Sequence, residues 1–409
     1  MRRVAVTGLG AVSALGVGVT PFWDRVVAGA SGVRRIANFD ATGFVAQVAA
    51  EVPGYTPGHH FTDAEQSLLD RFAQFAVIAA GEACAQAGLT LTEAERDRAG
   101  VTIGSAMGGA VTQDEGYQTL YGKGASRVHP FTIPRIMNNA ATSQVSMRHG
   151  LRGPALSIGT ACAASAHAIG EAAEMIRAGR AEVMIAGGAD APIAPGVVRC
   201  WEAMRVLAPA PADDPSRACR PFSRDRLGLV LGEGAGILVL ESWERATARG
   251  ATILAELAGY GATADAGHIT QPGVHAPVCA IALALAQAGL TPADVDYVSA
   301  HGTATRLNDA TETTVLKQAF GAEAARLAIS STKAVHGHAM GASAALECIA
   351  TIMAVQHAVA PPTANYTEPD PECDLDYVPN TARPLKIRAA ISNSFAFGGL
   401  NAVLAIKKA

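Results

Sequence analysis

Short, wholly apolar runs recur along the chain, and each gives way to glycines or to an alanine-rich stretch of helical periodicity. In the first half the runs are residues 4–10 (VAVTGLG), 101–106 (VTIGSA), 156–161 (LSIGTA) and 232–240 (GEGAGILVL). The second half repeats them in order at 253–261 (ILAELAGYG), 298–303 (VSAHGT), 329–334 (ISSTKA) and 398–406 (GGLNAVLAI). Runs that are apolar throughout, rather than alternating, suit strands covered on both faces. Helical stretches at 72–87 and 163–178 would supply the cover. Four matches in the same order predict one α/β design used twice, with halves at 1–250 and 251–409 and the strand ends of both around a central cleft. Residues 209–222, rich in Pro, Asp and Arg, read as a surface loop, and 361–363 and 368–371 as another irregular stretch.

The alanine-rich segment 276–290 falls short of the roughly 20 residues that span a bilayer, and reads as a buried helix. The opening residues read as a strand rather than a leader. Together these lead to the expectation of a soluble, cytoplasmic protein without membrane contact. Of 409 residues, 49% are hydrophobic, 17% charged and 42 are glycine, which fits a glycine-rich globular enzyme. A net charge of -4 leaves no basic footprint for nucleic acid. The seven cysteines are odd in number and show no CxxC spacing, which argues against a disulfide framework or a zinc site and for a reducing compartment.

Of the cysteines, Cys162 stands apart. It sits among small residues where a buried strand turns into a helix, so that amides and helix dipole would favour a thiolate and an oxyanion. Packing is the default reading for the other six. His301 (HGTAT) and His338 (STKAVHGH) lie in glycine-bearing loops after repeat-related strands. His336 and His338 alternate, so only one of them can readily face the cleft. Lys333, if buried, needs a carboxylate partner, for which Glu312 is the candidate.

Four segments in this order, namely Thr160-Ala161-Cys162, the His301 segment, Ser331-Thr332-Lys333 with Gly337-His338, and residues 393–399 (NSFAFGG), resemble the β-ketoacyl-acyl-carrier-protein synthase II family over essentially the whole chain. The resemblance implies the thiolase fold, a duplicated five-layer α-β-α-β-α arrangement, usually dimeric. It implies that Cys162 accepts an acyl group from carrier-protein phosphopantetheine, and that His301 and His338 promote malonyl decarboxylation and stabilise the enolate as neutral donors. It further implies an oxyanion hole from the Cys162 and Phe397 amides, a Lys333–Glu312 pair orienting the histidines, and Thr303 and Thr305 on the pantetheine arm. No metal or redox cofactor is needed. Residues 331–380 look closer to nodulation-type and polyene ketosynthases.

The family match also sets expectations where this chain departs from its pattern. Ala396 and Leu400 replace the glycine and threonine common near the C-terminus, in a loop where Phe395 and Phe397 would gate the acyl pocket. Met107 and Trp201 match positions that line the acyl tunnel. The acidic stretch 63–70 stands where carrier-protein surfaces are often basic, which leaves Arg127, Arg199 and Arg205 as candidate contacts. The partner would be an acyl carrier protein, and the assembly a homodimer or a heterodimer with a chain-length-factor-like paralogue. A thiolase is disfavoured because residues 395–399 contain no cysteine, and a non-catalytic subunit because the nucleophile and both histidines are kept.

Overall fold

The computed structural model describes residues 2–409 and places ten principal strands in two sets of five. The first set is β1 (Val4–Ser13), β2 (Ala99–Gly104), β3 (Ala155–Ile158), β4 (Val183–Asp190) and β5 (Gly234–Ser242), in the spatial order β3-β2-β4-β5-β1. The second is β6 (Ala255–Ala264), β7 (Tyr297–Ser299), β8 (Ala328–Ser330), β9 (Ala389–Ala396) and β10 (Leu400–Lys407), in the order β8-β7-β9-β10-β6. Counted from the start of each half the two orders coincide, and so do the strand senses: the first three are mutually parallel and the last two pair antiparallel. The halves join edge to edge through a short antiparallel contact in which Ala5 faces Glu256 and Val6 faces Ala255. All four sequence matches fall on equivalent strands. The fifth pair, β4 and β9, went unnoticed because MIAGGAD and ISNSFA share little beyond burial.

Helix α1 (Arg71–Gln86) covers the outer face of the first sheet, and α3 (His275–Ala288) with α4 (Arg306–Phe320) covers the second. Between the sheets lie α2 (Ala164–Arg177) and α5 (Ser343–His357), each packed against strands of both halves. The layers therefore run α-β-α-β-α, the thiolase arrangement. A helix in the middle layer has no solvent face, and α5 is correspondingly apolar all round, with its residues buried from Ser343 to Ile352.

The outer helices approach by the same device in both halves. A Cβ on Gly8 or Gly10 of β1 would lie 2.1 or 1.9 Å from the carbonyl oxygens of Ala83 and Ala79 on α1. On Gly259 and Gly261 of β6 it would lie 2.1 and 2.0 Å from those of Ala284 and Ala280 on α3. Only glycine permits backbone-to-backbone packing of this kind. Helix α3 is buried on that face only. Its opposite face carries Leu283 at 51% exposure, so the expected buried helix is buried on one face and exposed on the other. Among the described residues no helix is long and apolar enough to cross a membrane.

Candidate active site

The edge strand β3 ends at Ile158, and a tight turn through Ala161, at a left-handed φ of 48°, delivers Cys162 just ahead of the first turn of α2. A left-handed alanine costs about 1 kcal/mol, and the turn holds that strain where it presents the sulfur. His301 follows β7, and the next residue, Gly302, has φ 36°; a Cβ there would lie 2.5 Å from that of Ser331, so the His301 and Lys333 loops touch directly. His338 follows a one-turn helix, Lys333–His336, and the turn at Gly337. That turn separates the two histidines. His336 is bound to Thr332 Oγ1 at 2.9 Å and packs near Phe22, while His338 faces the sulfur.

Cys162 Sγ lies 3.1 Å from His338 Nε2, and the ligand atoms of Cys162, His301 and His338 all lie within 4.8 Å of one another. The two imidazoles meet edge to face, with centroids 5.7 Å apart. His338 Nδ1 is 2.9 Å from Ser343 Oγ at the start of α5. Lys333, fully buried, spends its three N–H bonds on the Glu347 carboxylate, the His301 carbonyl at 2.7 Å and His301 Nδ1 at 3.4 Å. An ammonium can only donate, so His301 Nδ1 accepts and its Nε2 carries the proton that faces the cleft. The three side chains are the one metal-type cluster among the described residues. This tautomer gives the cluster a donor where a metal would need a lone pair.

The expected Lys333–Glu312 pair is not formed. Glu312, in the second turn of α4, accepts the His301 and Gly302 amides at 2.8 Å each and the Asn393 side chain at 3.2 Å. It shapes the histidine loop from behind. Glu347 takes the ammonium, and it was legible as the only charged residue in the apolar segment 343–356. Ser343 was also missed, along with Asp190. The latter closes β4 by accepting from Ser105 Oγ (2.7 Å), Ala106 N (2.8 Å), Met107 N (3.1 Å) and Gly341 N (2.6 Å), which ties the two halves together under the site.

Burial and the nearby Lys333 charge hold both His301 and His338 well below the ordinary imidazole range, so both rings are neutral. Burial pushes the Cys162 thiol up to about 11, although Lys333 and the cysteine's own amide pull the other way. The expected resting thiolate is thus corrected, because desolvation outweighs the helix terminus. Burial likewise raises Glu347 to about 7 and Asp190 to about 6.

The three side chains lie at the inner end of a cavity of about 430 Å³, also lined by Trp201, Thr303, Thr305, Phe395 and Phe397. Trp201 stacks on Phe397 with centroids 6.0 Å apart. Thr303 and Thr305 are joined through their hydroxyls at 2.9 Å. Among the described residues the amides of Cys162 and Phe397 donate to no backbone carbonyl. Phe397 leads into Gly398 and Gly399, both left-handed, whereas Ala396 ends β9 in ordinary extended backbone. Met107 is not among the cavity-lining residues. Arg199 is engaged with Glu202 at 2.8 Å and lies over the Phe44 ring, which removes it as a free surface charge. Arg127 and Arg205 are exposed and have no acidic partner among the described residues, but Arg127 lies on a segment that does not line the cavity. Asp70 belongs to no surface patch: it is buried and caps α1.

The sequence matches the family models for the beta-ketoacyl synthase N-terminal domain over residues 1–246 and C-terminal domain over residues 254–367. The chain belongs to the beta-ketoacyl synthase family. This ketosynthase is 50% identical over 407 residues to nodulation protein E of Rhizobium meliloti (strain 1021), covering 100% of this chain and 99% of that protein. It is 42% identical over 409 residues to 3-oxoacyl-[acyl-carrier-protein] synthase 2 of Staphylococcus aureus (strain COL), covering 100% and 98%. Among solved structures, the ishigamide ketosynthase/chain length factor superposes with a TM-score of 0.92 at 38% identity, covering 100% of this chain and 99% of that one. The ketosynthase is therefore an acyl-transferring, condensing enzyme.

Proposed function

We propose that this ketosynthase loads an acyl chain onto Cys162 and extends it by two carbons with a malonyl thioester, both delivered on acyl carrier protein. The observation that carries the reading is the convergence of one thiol and two neutral imidazoles at the inner end of a single cavity. In the first half-reaction the Cys162 Sγ–carbon bond forms and the bond from that carbon to the pantetheine sulfur breaks. The thiol proton passes through His338 Nε2 to the departing sulfur. The Cys162 and Phe397 amides face the transient oxyanion.

In the second half-reaction the malonyl carboxylate leaves as CO2, and its bonding electrons move onto the thioester carbonyl as an enolate. His301 and His338 donate Nε2–H bonds to that oxygen. The enolate carbon attacks the acyl carbonyl, the Sγ–carbon bond breaks, and Sγ departs as a thiolate that takes one proton from solvent. Thr303 and Thr305 hold the pantetheine arm.

Two exposed arginines, Arg205 and Arg306, flank the cavity rim beside exposed Met204 and Leu307, and neither has an acidic partner among the described residues. Their segments sit on either side of Gly228 and Leu229, which bond to Ala304 and Val206 at 3.1 and 2.9 Å. Two such spacings put the backbones of the two segments about 10 Å apart, and a pair of free cations on one rim suits an acidic carrier-protein surface. Incubation with acyl carrier protein followed by mass spectrometry tests the reading. An acyl adduct on Cys162, absent from Cys162→Ala, is expected, and a protein that gains none refutes it.

The edge strand β3 leaves Leu156 46% exposed, and the helix before it leaves Met147 65% exposed, an apolar edge suited to a second ketosynthase-like chain. Whether that chain is a second copy or a degenerate paralogue is read from native mass spectrometry. A monomer at micromolar concentration counts against both.

A further inference from the structure

The two catalytic imidazoles are held by unlike groups. Lys333 fixes His301 as an Nε2–H donor, because an ammonium beside Nδ1 leaves no acceptor for a proton there. His338 Nδ1 faces a hydroxyl instead, Ser343 Oγ at 2.9 Å, which can either donate or accept. Ser343 is fully buried, and His338 is the one hydrogen-bond partner of its hydroxyl among the described residues. The first amides of α5 are already engaged, Ser343 N with the Met340 carbonyl and Ala345 N with Ser165 Oγ at 2.9 Å, so the Ser343 hydroxyl is the group that Nδ1 meets. The hydroxyl is thus the acceptor through which a proton on Nδ1 can be satisfied.

We infer that Ser343 is a positioning residue that lets His338 hold its proton on either nitrogen, so that one ring serves both half-reactions. This rests on the condensing mechanism above. For acyl transfer, Nδ1–H donates to Ser343 Oγ and the bare Nε2, 3.1 Å from Sγ, takes the thiol proton as the sulfur–carbon bond forms. It then returns that proton to the departing pantetheine sulfur. For decarboxylation, Ser343 O–H donates to Nδ1, and Nε2–H donates to the enolate oxygen. Between half-reactions one proton leaves Nδ1 and one arrives at Nε2, so the ring has no net gain or loss of protons.

Removing the hydroxyl separates the two steps. In Ser343→Ala a proton on the buried Nδ1 has no acceptor, whereas Nε2–H faces the cavity, which locks His338 as the Nε2–H donor. Acylation of Cys162, timed by rapid-quench mass spectrometry, is expected to slow about a hundredfold, the scale of a lost general base. CO2 release from malonyl carrier protein by enzyme already acylated should change less than threefold. Ser343→Thr should restore acylation, and Ser343→Cys serves as a second variant if threonine fails to fold. Imidazole 15N shifts should show mixed His338 tautomers in the native protein and Nε2–H alone in Ser343→Ala. Equal losses in both half-reactions, no loss in either, or an unchanged tautomer ratio would overturn the inference. A native protein that never acylates Cys162 would instead refute the condensing mechanism.

Discussion

Replacing Lys333 by Met removes the charge that both balances Glu347 and fixes His301, and these two roles can be told apart. The ammonium is buried and spends all three N–H bonds on Glu347, the His301 carbonyl and His301 Nδ1. Without it Glu347, raised to about 7 even with the ammonium in place, rises further and takes up a proton near neutrality, which leaves an unpartnered carboxyl in the middle layer. Breaking a buried pair in this way costs about 3–5 kcal/mol, a large share of the roughly 5–15 kcal/mol that holds a domain together. Replacing both partners with apolar groups of similar volume is often close to neutral. The double variant Lys333→Met/Glu347→Leu should therefore regain most of the stability lost by Lys333→Met, to within about 1–2 kcal/mol of the native protein in urea unfolding.

Catalysis should not follow stability. In the double variant nothing compels His301 to carry its proton on Nε2, so one of the two enolate donors is lost for part of the population and the ring is free to tilt. Loss of a single oxyanion donor costs about 100- to 1,000-fold in rate. Malonyl decarboxylation, followed as CO2 release, should fall by that order in the double variant even though it is folded. Two results would refute the reasoning: a double variant as unstable as Lys333→Met, or one that is stable and decarboxylates at the native rate.

Other expectations follow from the same geometry. With its thiol raised to about 11, Cys162 should react with iodoacetamide about tenfold faster per pH unit from 7 to 10, and a plateau near neutrality would show a thiolate already present. Glu347 and Asp190 are raised to about 7 and about 6, so the folded state binds these protons more tightly than the unfolded one. The stability they contribute is complete below about pH 4 and lost as pH rises through those values. Urea unfolding at pH 5 and 8 should show a smaller drop in the Lys333→Met/Glu347→Leu variant than in the native chain, and equal drops would contradict the assignment. Arg205→Glu and Arg306→Glu should each raise the KM for acyl carrier protein about five- to tenfold with kcat little changed, in a salt-dependent way; unchanged KM removes that rim from the interface. Gly302→Ala would put a Cβ 2.5 Å from that of Ser331 at φ 36°. It should lower Tm by several degrees and disable both half-reactions, and a stable, active variant would show that the loop can yield.

The duplicated fold was legible because packing imposes the same demand twice. Gly8 and Gly10 on one side, and Gly259 and Gly261 on the other, are required by one helix-on-strand approach, so they recur at matching places. The nucleophile and its histidines were legible because loops after equivalent strands converge on one cleft. The Lys333 partner was not, because sequence proximity to the His301 motif favours Glu312, whereas α4 sends that carboxylate behind the His301 backbone and α5 brings Glu347 up between the sheets. The thiol went wrong for a related reason. A strand-to-helix turn announces the field of the helix, but the desolvation that outweighs it depends on what the other half of the chain lays over Cys162. Met107, Arg127 and Arg205 lie in irregular connections, whose course no periodicity records, while Arg199 sits on the helix Pro195–Ala203, which turns it onto Glu202 and the Phe44 ring.

The buried pair also explains how a site with a lysine beside its histidine can still favour decarboxylation. A cation facing the cavity would stabilise the malonyl carboxylate, the ground state, and raise the barrier to losing it. Lys333 points its charge at Glu347 and at the back of His301, so the charge is balanced before it reaches the cavity. What reaches the substrate is one neutral Nε2–H, fixed in direction, from His301, together with the His338 ring and walls that include Phe395 and Phe397. The carboxylate therefore enters a site that offers it no counter-charge, while the oxygen that becomes negative after CO2 departs meets donors already in place. On this argument the positive charge serves catalysis by setting a tautomer, and bringing it into contact with the substrate would slow the reaction.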